Sequence, residues 1–182
     1  MFALDGTVKI SNLSKGQKAR AGLLLALAHR PGLLILDEPS SGLDPIVRRD
    51  ILGAVIRTVA DEGRTVLFSS HLLDEVEQVA DHVTMISRGR IALSAPLDAI
   101  RDSYRSVTVR FPEPRHQPPD VPGVLHWDGR GQEWTAVTPN DSAWLGVAIA
   151  GSKGSIVAER ASTLDEVFVA HVGTAASVAE DL

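Results

Sequence analysis

Apolar and polar positions along this chain change spacing several times, and each change marks an element. Leu33-Leu-Ile-Leu36 is an unbroken apolar run, the pattern of a parallel strand buried on both faces. A helix is expected before it, over Lys18 to Ala28. Asp44-Pro45 places an N-cap ahead of a proline at the first helical position, so a second helix is expected from there to about Glu62, ending at Gly63. Thr65-Val-Leu-Phe-Ser69 reads as the next strand. Leu72 to Ala80 reads as a helix with Leu73, Val76 and Ala80 on one face. Val83–Ser87 and Arg90–Ser94 then flank Arg88-Gly89, a hairpin signal. Strand, helix, strand, helix, hairpin is the order of an α/β layer with a largely parallel sheet.

The texture changes after about Arg110. Five of the chain's ten prolines lie between Phe111 and Gly123. Proline fixes φ and removes a donor, so residues 112–122 read as a stiff connector rather than a helix or central strand. Around it a smaller mixed region is expected. Val107–Phe111 alternates as a strand. Val124–Trp127 and Glu133–Val137 flank Asp128-Gly-Arg-Gly131 as a hairpin. Asn140 or Asp141 caps a helix to Ala150, Ser155–Glu159 is a strand, and Thr163-Leu-Asp-Glu166 is a capping box opening a last helix to about His171. The expected organisation is a first domain over 1–104, a small α+β accessory domain over 105–172, and a tail over 173–182.

Charge and composition narrow the function classes. Net charge is −5, which speaks against a basic nucleic-acid-binding face. There is no cysteine, hence no disulfide framework and no thiolate metal site. No apolar run has the length of a membrane span, so membrane association is expected to come through a partner. His29, His82, His116, His126 and His171 have no ligand partner at metal spacing, and Trp127, Trp134 and Trp144 read as core or hairpin residues of the small domain.

The candidate chemistry sits where the first apolar strand ends, at Asp37-Glu38-Pro39. Ligand sites of open α/β sheets lie beyond the C-terminal ends of strands. Adjacent carboxylates diverge and can divide labour: Asp37 suits Mg²⁺, directly or through water, and Glu38 suits polarising an attacking water. The bland reading is a strand that merely ends in acids before a turn. Upstream, Asn12-Leu-Ser14-Lys15-Gly16-Gln17 puts a hydroxyl and free N–H groups at a helix start, a place for an anion, though by itself an ordinary Ser N-cap. Downstream stand Ser40-Ser41-Gly42-Leu43-Asp44 and Ser69-Ser70-His71; His71 could contact a γ-phosphate and fix the geometry of Glu38, while the bland reading of a lone His at a strand end is structural.

Taken together, these runs resemble the nucleotide-binding subunit of ABC transporters. Leu13-Ser-Lys-Gly-Gln17 looks like the signature loop, with Lys15 where a glycine is usual. Leu33 to Glu38 looks like the Walker B strand with its catalytic glutamate, Ser41-Gly-Leu-Asp44 like the D-loop, and His71 like the switch histidine. Four elements in order and spacing are highly specific, over about Leu13 to Pro96. A weaker resemblance links Asp165-Glu-Val-Phe168 to the ending of ATPases paired with ABC-2-type exporters. The bland reading of Val167 and Phe168 is core packing.

The resemblance implies an incomplete P-loop NTPase-like (RecA-like) layer with the signature helix, followed by the small α+β domain. It implies catalytic roles for Glu38 and His71, Mg²⁺ at Asp37, and nucleotide contacts for Ser14, Lys15, Gly16, Gln17, Ser41, Gly42 and Asp44. It implies ATP and Mg²⁺ as cofactors, a second ATPase subunit in a head-to-tail dimer, and a separate transmembrane permease, with no nucleic acid. The permease would hold the subunit on the cytoplasmic face of the membrane.

Walker A, Gly-x-x-x-x-Gly-Lys-Ser/Thr, does not occur in the 182 residues. The expectation is therefore a chain inactive alone and belonging to a longer ATPase. The alternative is a short non-catalytic partner or regulatory module of an intact one. DNA-repair and ribosome-associated relatives are disfavoured by the absence of a long heptad segment, a second cassette and a basic patch. A bare apolar edge beside Leu33–Leu36, and with it poor solubility or dependence on a partner, is also expected.

Overall fold

The computed structural model describes residues 4–61, 63–139 and 142–177, with side chains as far as residue 172. Packing divides the chain into two units, Met1–Val79 and Ala80–Leu182.

The first unit is built on two strands and three helices. Helix α1 (Lys15–Ala28) starts at an N-cap Ser14 whose hydroxyl accepts from the Gln17 amide, while the Gln17 side chain accepts from the Ser14 amide. This reciprocal capping starts the helix three residues earlier than the sequence pattern suggested. Strand β1 (Leu33–Leu36) follows. Helix α2 (Pro45–Ala60) begins where Asp44-Pro45 indicated, with Asp44 Oδ1 accepting from the amides of Ile46 and Val47 at 3.0 Å each. It ends at Asp61, and Gly63 takes φ +62°, the left-handed turn a glycine permits. The expected end residue Glu62 lies outside the described residues. Strand β2 (Thr65–Phe68) returns parallel to β1, and helix α3 (Leu73–Val79) closes the unit.

Leu23, Leu34, Leu43, Val47, Ile51 and Ala54 form the core of this unit. Gly16 permits the close approach of α1 and α2: a Cβ there would lie 2.8 Å from a Val47 methyl. Arg20 and Asp50 pair across the same two helices at 2.5 Å. The strands are not buried on both faces as the apolar run suggested. Leu34 is buried, but Leu33, Ile35 and Leu67 are 51%, 67% and 61% exposed. The reason is that α1 and α2 cover one face of the strand pair, and no described residue of this unit covers the other. The apolar surface left bare is a face of the strand pair, distinct from the bare strand edge expected beside Leu33–Leu36.

The second unit begins with an antiparallel hairpin, β3 (His82–Ser87) and β4 (Arg90–Pro96), turned by Arg88 (φ 49°) and Gly89 (φ 73°) as their sequence indicated. Helix α4 (Leu97–Ser103) follows. Then come β5 (Tyr104–Arg115), β6 (His126–Pro139), α5 (Ala143–Ala150), β7 (Ser155–Ala161) and α6 (Leu164–Ser177). The three strands form an antiparallel sheet in the order β6-β5-β7. Val107, Val109, Phe111, Trp134, Ala136, Leu145 and Ile149 form the core under α5, with Trp127 and Trp144 packed at its margin.

Several boundaries differ from the sequence pattern. By packing, residues 80–104 group with the C-terminal unit rather than with residues 1–79, because β3 and β4 pair only with each other and α6 packs on β4. Residues 112–115 extend the central strand rather than the connector. The last β5–β7 pair is Arg110 with Ser155, so beyond it β5 is open on one side, and Pro112 and Pro114 forfeit no ladder bond there. The hairpin about Asp128–Gly131 exists inside β6. Leu125 N–H donates to the Val137 carbonyl at 2.9 Å, and a Cβ on Gly129 would lie 2.5 Å from the Glu133 carbonyl oxygen. A straight strand would hold Leu125 and Val137 about 40 Å apart and Gly129 and Glu133 about 13 Å apart. The expected caps Asn140 and Asp141 lie outside the described residues, as do 178–182 of the tail, whereas 173–177 continue α6.

The capping box at α6 is present and carries a charge network. Glu166 accepts from the Thr163 amide (2.8 Å), Ser106 Oγ (2.8 Å) and both Arg160 nitrogens (2.6 and 2.8 Å). Burial alone would raise its pKa. The bonds from Arg160, Thr163 and Ser106 and the Arg160 charge overcome that and hold it at about 2, against an ordinary 4.5. A depressed carboxylate stabilises the fold above the unfolded-state pKa and loses that contribution as pH falls through the folded value. Thermal melts between pH 5 and pH 2 are therefore expected to show an acid-dependent loss of about 1–2 kcal/mol after solvent screening, absent in Glu166→Gln.

Candidate active site

The register of the parallel pair decides what the strand ends bring together. Leu36 stands opposite Phe68, so the next residues, Asp37 and Ser69, leave the sheet side by side, tied by Ser69 N–H donating to the Leu36 carbonyl at 2.9 Å. Ser69 Oγ donates to Asp37 Oδ1 at 2.5 Å and accepts from the Glu38 amide at 2.9 Å. His71 Nδ1 lies 2.7 Å from Glu38 Oε2. Asp37, Glu38 and His71 thus meet at the C-terminal ends of two parallel strands, as the sequence reading expected for a site.

Glu38 has φ 45°, in the left-handed region that a side chain of this size rarely occupies. Ser69 Oγ on its amide and the Ser41 amide on its carbonyl (3.1 Å) hold it there. Strain kept in place by surrounding bonds is characteristic of functional positions. The groups remain accessible: the side chains of Glu38 and His71 are 36% and 63% exposed.

The other expected site residues form a second group. Ser14 and Gln17 are bound to each other in the α1 cap. Gly16 faces Val47, and Asp44 caps α2. Lys15 bridges toward the strand-end loop: a Cβ on Gly42 (φ +64°) would lie 2.3 Å from Lys15 Nζ, so the ammonium sits directly over Gly42. Ser41 belongs to the turn between Glu38 and α2.

Sequence reasoning missed Glu75. It is 1% exposed, it accepts from Ser40 Oγ at 2.5 Å, and its Oε1 lies 3.0 Å from Arg48 Nε. The Arg48 N–H does not point at that oxygen, so the attraction is Coulombic. This network ties the loop after Glu38 to α2 and α3. Nothing in the run Leu73-Asp-Glu-Val-Glu77 separates Glu75 from its acidic neighbours.

No hydrogen bond among the described residues reaches Asp37 Oδ2, a hard oxygen of the kind that suits Mg²⁺. Among the described residues no group of three or more His, Asp or Glu converges to hold a metal by itself.

The sequence has known relatives. A family model described as "AAA domain, putative AbiEii toxin, Type IV TA system" matches residues 4–77. The ABC transporter ATP-binding protein YtrB of Bacillus subtilis is 26% identical over 94% of this chain and 59% of its own length. The bacitracin transport ATP-binding protein BcrA of Bacillus licheniformis is 38% identical over 53% of this chain and 31% of its own. Among solved structures, the post-hydrolysis dimer of the ATP-binding cassette MJ0796 with ADP and Pi gives a TM-score of 0.46 at 24% identity, over 49% of this chain and 38% of that one. The chain is an α/β protein whose sequence is similar to those of ABC transporter ATP-binding proteins. It spans 59% or less of the length of the relatives described. No helix among the described residues is long and apolar enough to cross a membrane.

Proposed function

We propose that the chain supplies the signature loop, the Walker B carboxylates, the D-loop and the switch histidine of an ATPase subunit that drives an ABC exporter. The observation that carries this is the 2.7 Å contact between His71 and Glu38 beside Asp37 at the strand ends. Glu38 orients and polarises the attacking water, and His71 holds Glu38 in place while reaching for the γ-phosphate. Ser69 fixes Asp37 for Mg²⁺, which when bound neutralises charge on the phosphates. Ser14, Lys15, Gly16 and Gln17 at the α1 N-terminus face ATP held by the Walker A of a second subunit in a head-to-tail dimer, with Ser41, Gly42 and Asp44 lining the junction. A separate permease subunit places the assembly on the cytoplasmic face of the membrane, with no nucleic acid involved. The alternative, a non-catalytic module pairing with an intact ATPase, offers no reason to keep the strained Glu38 and its partner His71.

The test is a chimera in which this chain follows the Walker A-bearing segment of the Bacillus licheniformis relative. The fusion is expected to hydrolyse Mg-ATP, and Glu38→Gln to lower kcat about 100-fold or more with little change in nucleotide binding. A chimera that turns over equally well with Glu38→Gln would refute the assignment.

A further inference from the structure

The C-terminal ends of α1 and α2 border a cleft of about 430 Å³, within the roughly 300–1,000 Å³ range of small-molecule sites. Its base is apolar, from Leu24, Leu27 and Ala54. Among the described residues its lining also carries Arg30, Arg57, Arg64 and the acid Asp61. Three guanidinium groups on one cleft stand out in a chain whose net charge is −5.

The ordinary explanation of such arginines is compensation of helix C-terminal dipoles. It accounts for Arg57, in the last turn of α2. It does not account for Arg30, which lies beyond the last turn of α1. Arg30 follows the α1 C-cap with φ 50°, its amide bonded to the Leu27 carbonyl at 3.0 Å. That left-handed position after a helix normally takes glycine. An arginine held there, lining a cavity, is an independent sign that the side chain has a task.

We propose that this cleft binds a small amphiphilic anion, a single carboxylate or phosphate head on a short apolar body. Guanidinium forks match either head group in two-point hydrogen bonds, and the apolar base receives the tail. The proposal does not depend on the ATPase assignment, since the cleft shares no residue with the strand-end site.

The experiment titrates octyl phosphate, octanol and inorganic phosphate into the full chain, followed by amide chemical shifts. Saturable binding of octyl phosphate is expected, with shifts at Leu27, Arg30, Thr58 and Asp61. Octanol and phosphate should each bind at least tenfold more weakly. The double variant Arg30→Gln/Arg57→Gln should weaken octyl phosphate at least tenfold without affecting octanol. Should that variant not fold, Ala28→Glu, which adds a like charge at the exposed rim, should weaken octyl phosphate similarly. Octanol binding as tightly as octyl phosphate, affinity that survives these substitutions, or shifts confined to Leu33, Ile35 and Leu67 would each overturn the site. Co-sedimentation with phosphatidylglycerol vesicles, without saturation by octyl phosphate, would assign the arginines to a membrane surface and overturn it too.

Discussion

The 182-residue chain, purified alone, is expected to show no saturable Mg-ATP binding below millimolar nucleotide. Its α1 N-terminus and the Asp37–Glu38–His71 cluster are in place, and in the role proposed for them they would contribute only peripheral contacts to a nucleotide. A Walker A loop contributes several backbone N–H groups and a lysine to the phosphates, and none of the 182 residues provides that loop. Hydrogen bonds to charged groups contribute about 1.5–3 kcal/mol each. The absence of even ~4 kcal/mol weakens binding about a thousandfold. Calorimetric titration of Mg-ATP into the chain decides the matter. A micromolar Kd would mean that the phosphates are held by other groups, with the α1 cap and Lys15 the first to test, and the trans role proposed for them would be withdrawn.

Glu75→Ala is expected to destabilise the first unit by about 3 kcal/mol. The side chain is 2% exposed and serves two partners. Its removal leaves the buried Ser40 hydroxyl without an acceptor and the Arg48 guanidinium without its counter-charge. Arg48 is 31% exposed, so water recovers part of the cost and the value falls at the lower end for a broken buried pair. Urea unfolding of wild type, Glu75→Ala, Ser40→Ala and the double variant measures it, and the cycle isolates the Ser40–Glu75 coupling. A loss under about 1 kcal/mol would show that the network is not holding the loop behind Glu38, and its stabilising role would be dropped.

The sequence by itself determined the local elements wherever a short-range cause was sufficient. Asp44-Pro45 started α2, Arg88-Gly89 turned the β3–β4 hairpin, and Thr163-x-x-Glu166 opened α6, because each is a cap or turn satisfied within four residues. It also marked the strand-end acids and His71 as a group, since motif order along a parallel α/β chain reports which strand ends are neighbours. Only the tertiary structure decided what depends on contacts between distant residues. The apolar run Leu33–Leu36 could not say that one face of its strand stays bare, because burial depends on which helices pack there. The prolines after Phe111 could not say that β5 continues through them, because that depends on where β7 ends. Glu75 sits between other acids on a short helix, with nothing local to single it out. It is buried because Ser40 lies 35 residues away along the chain yet within hydrogen-bond distance, a pairing that no local pattern encodes.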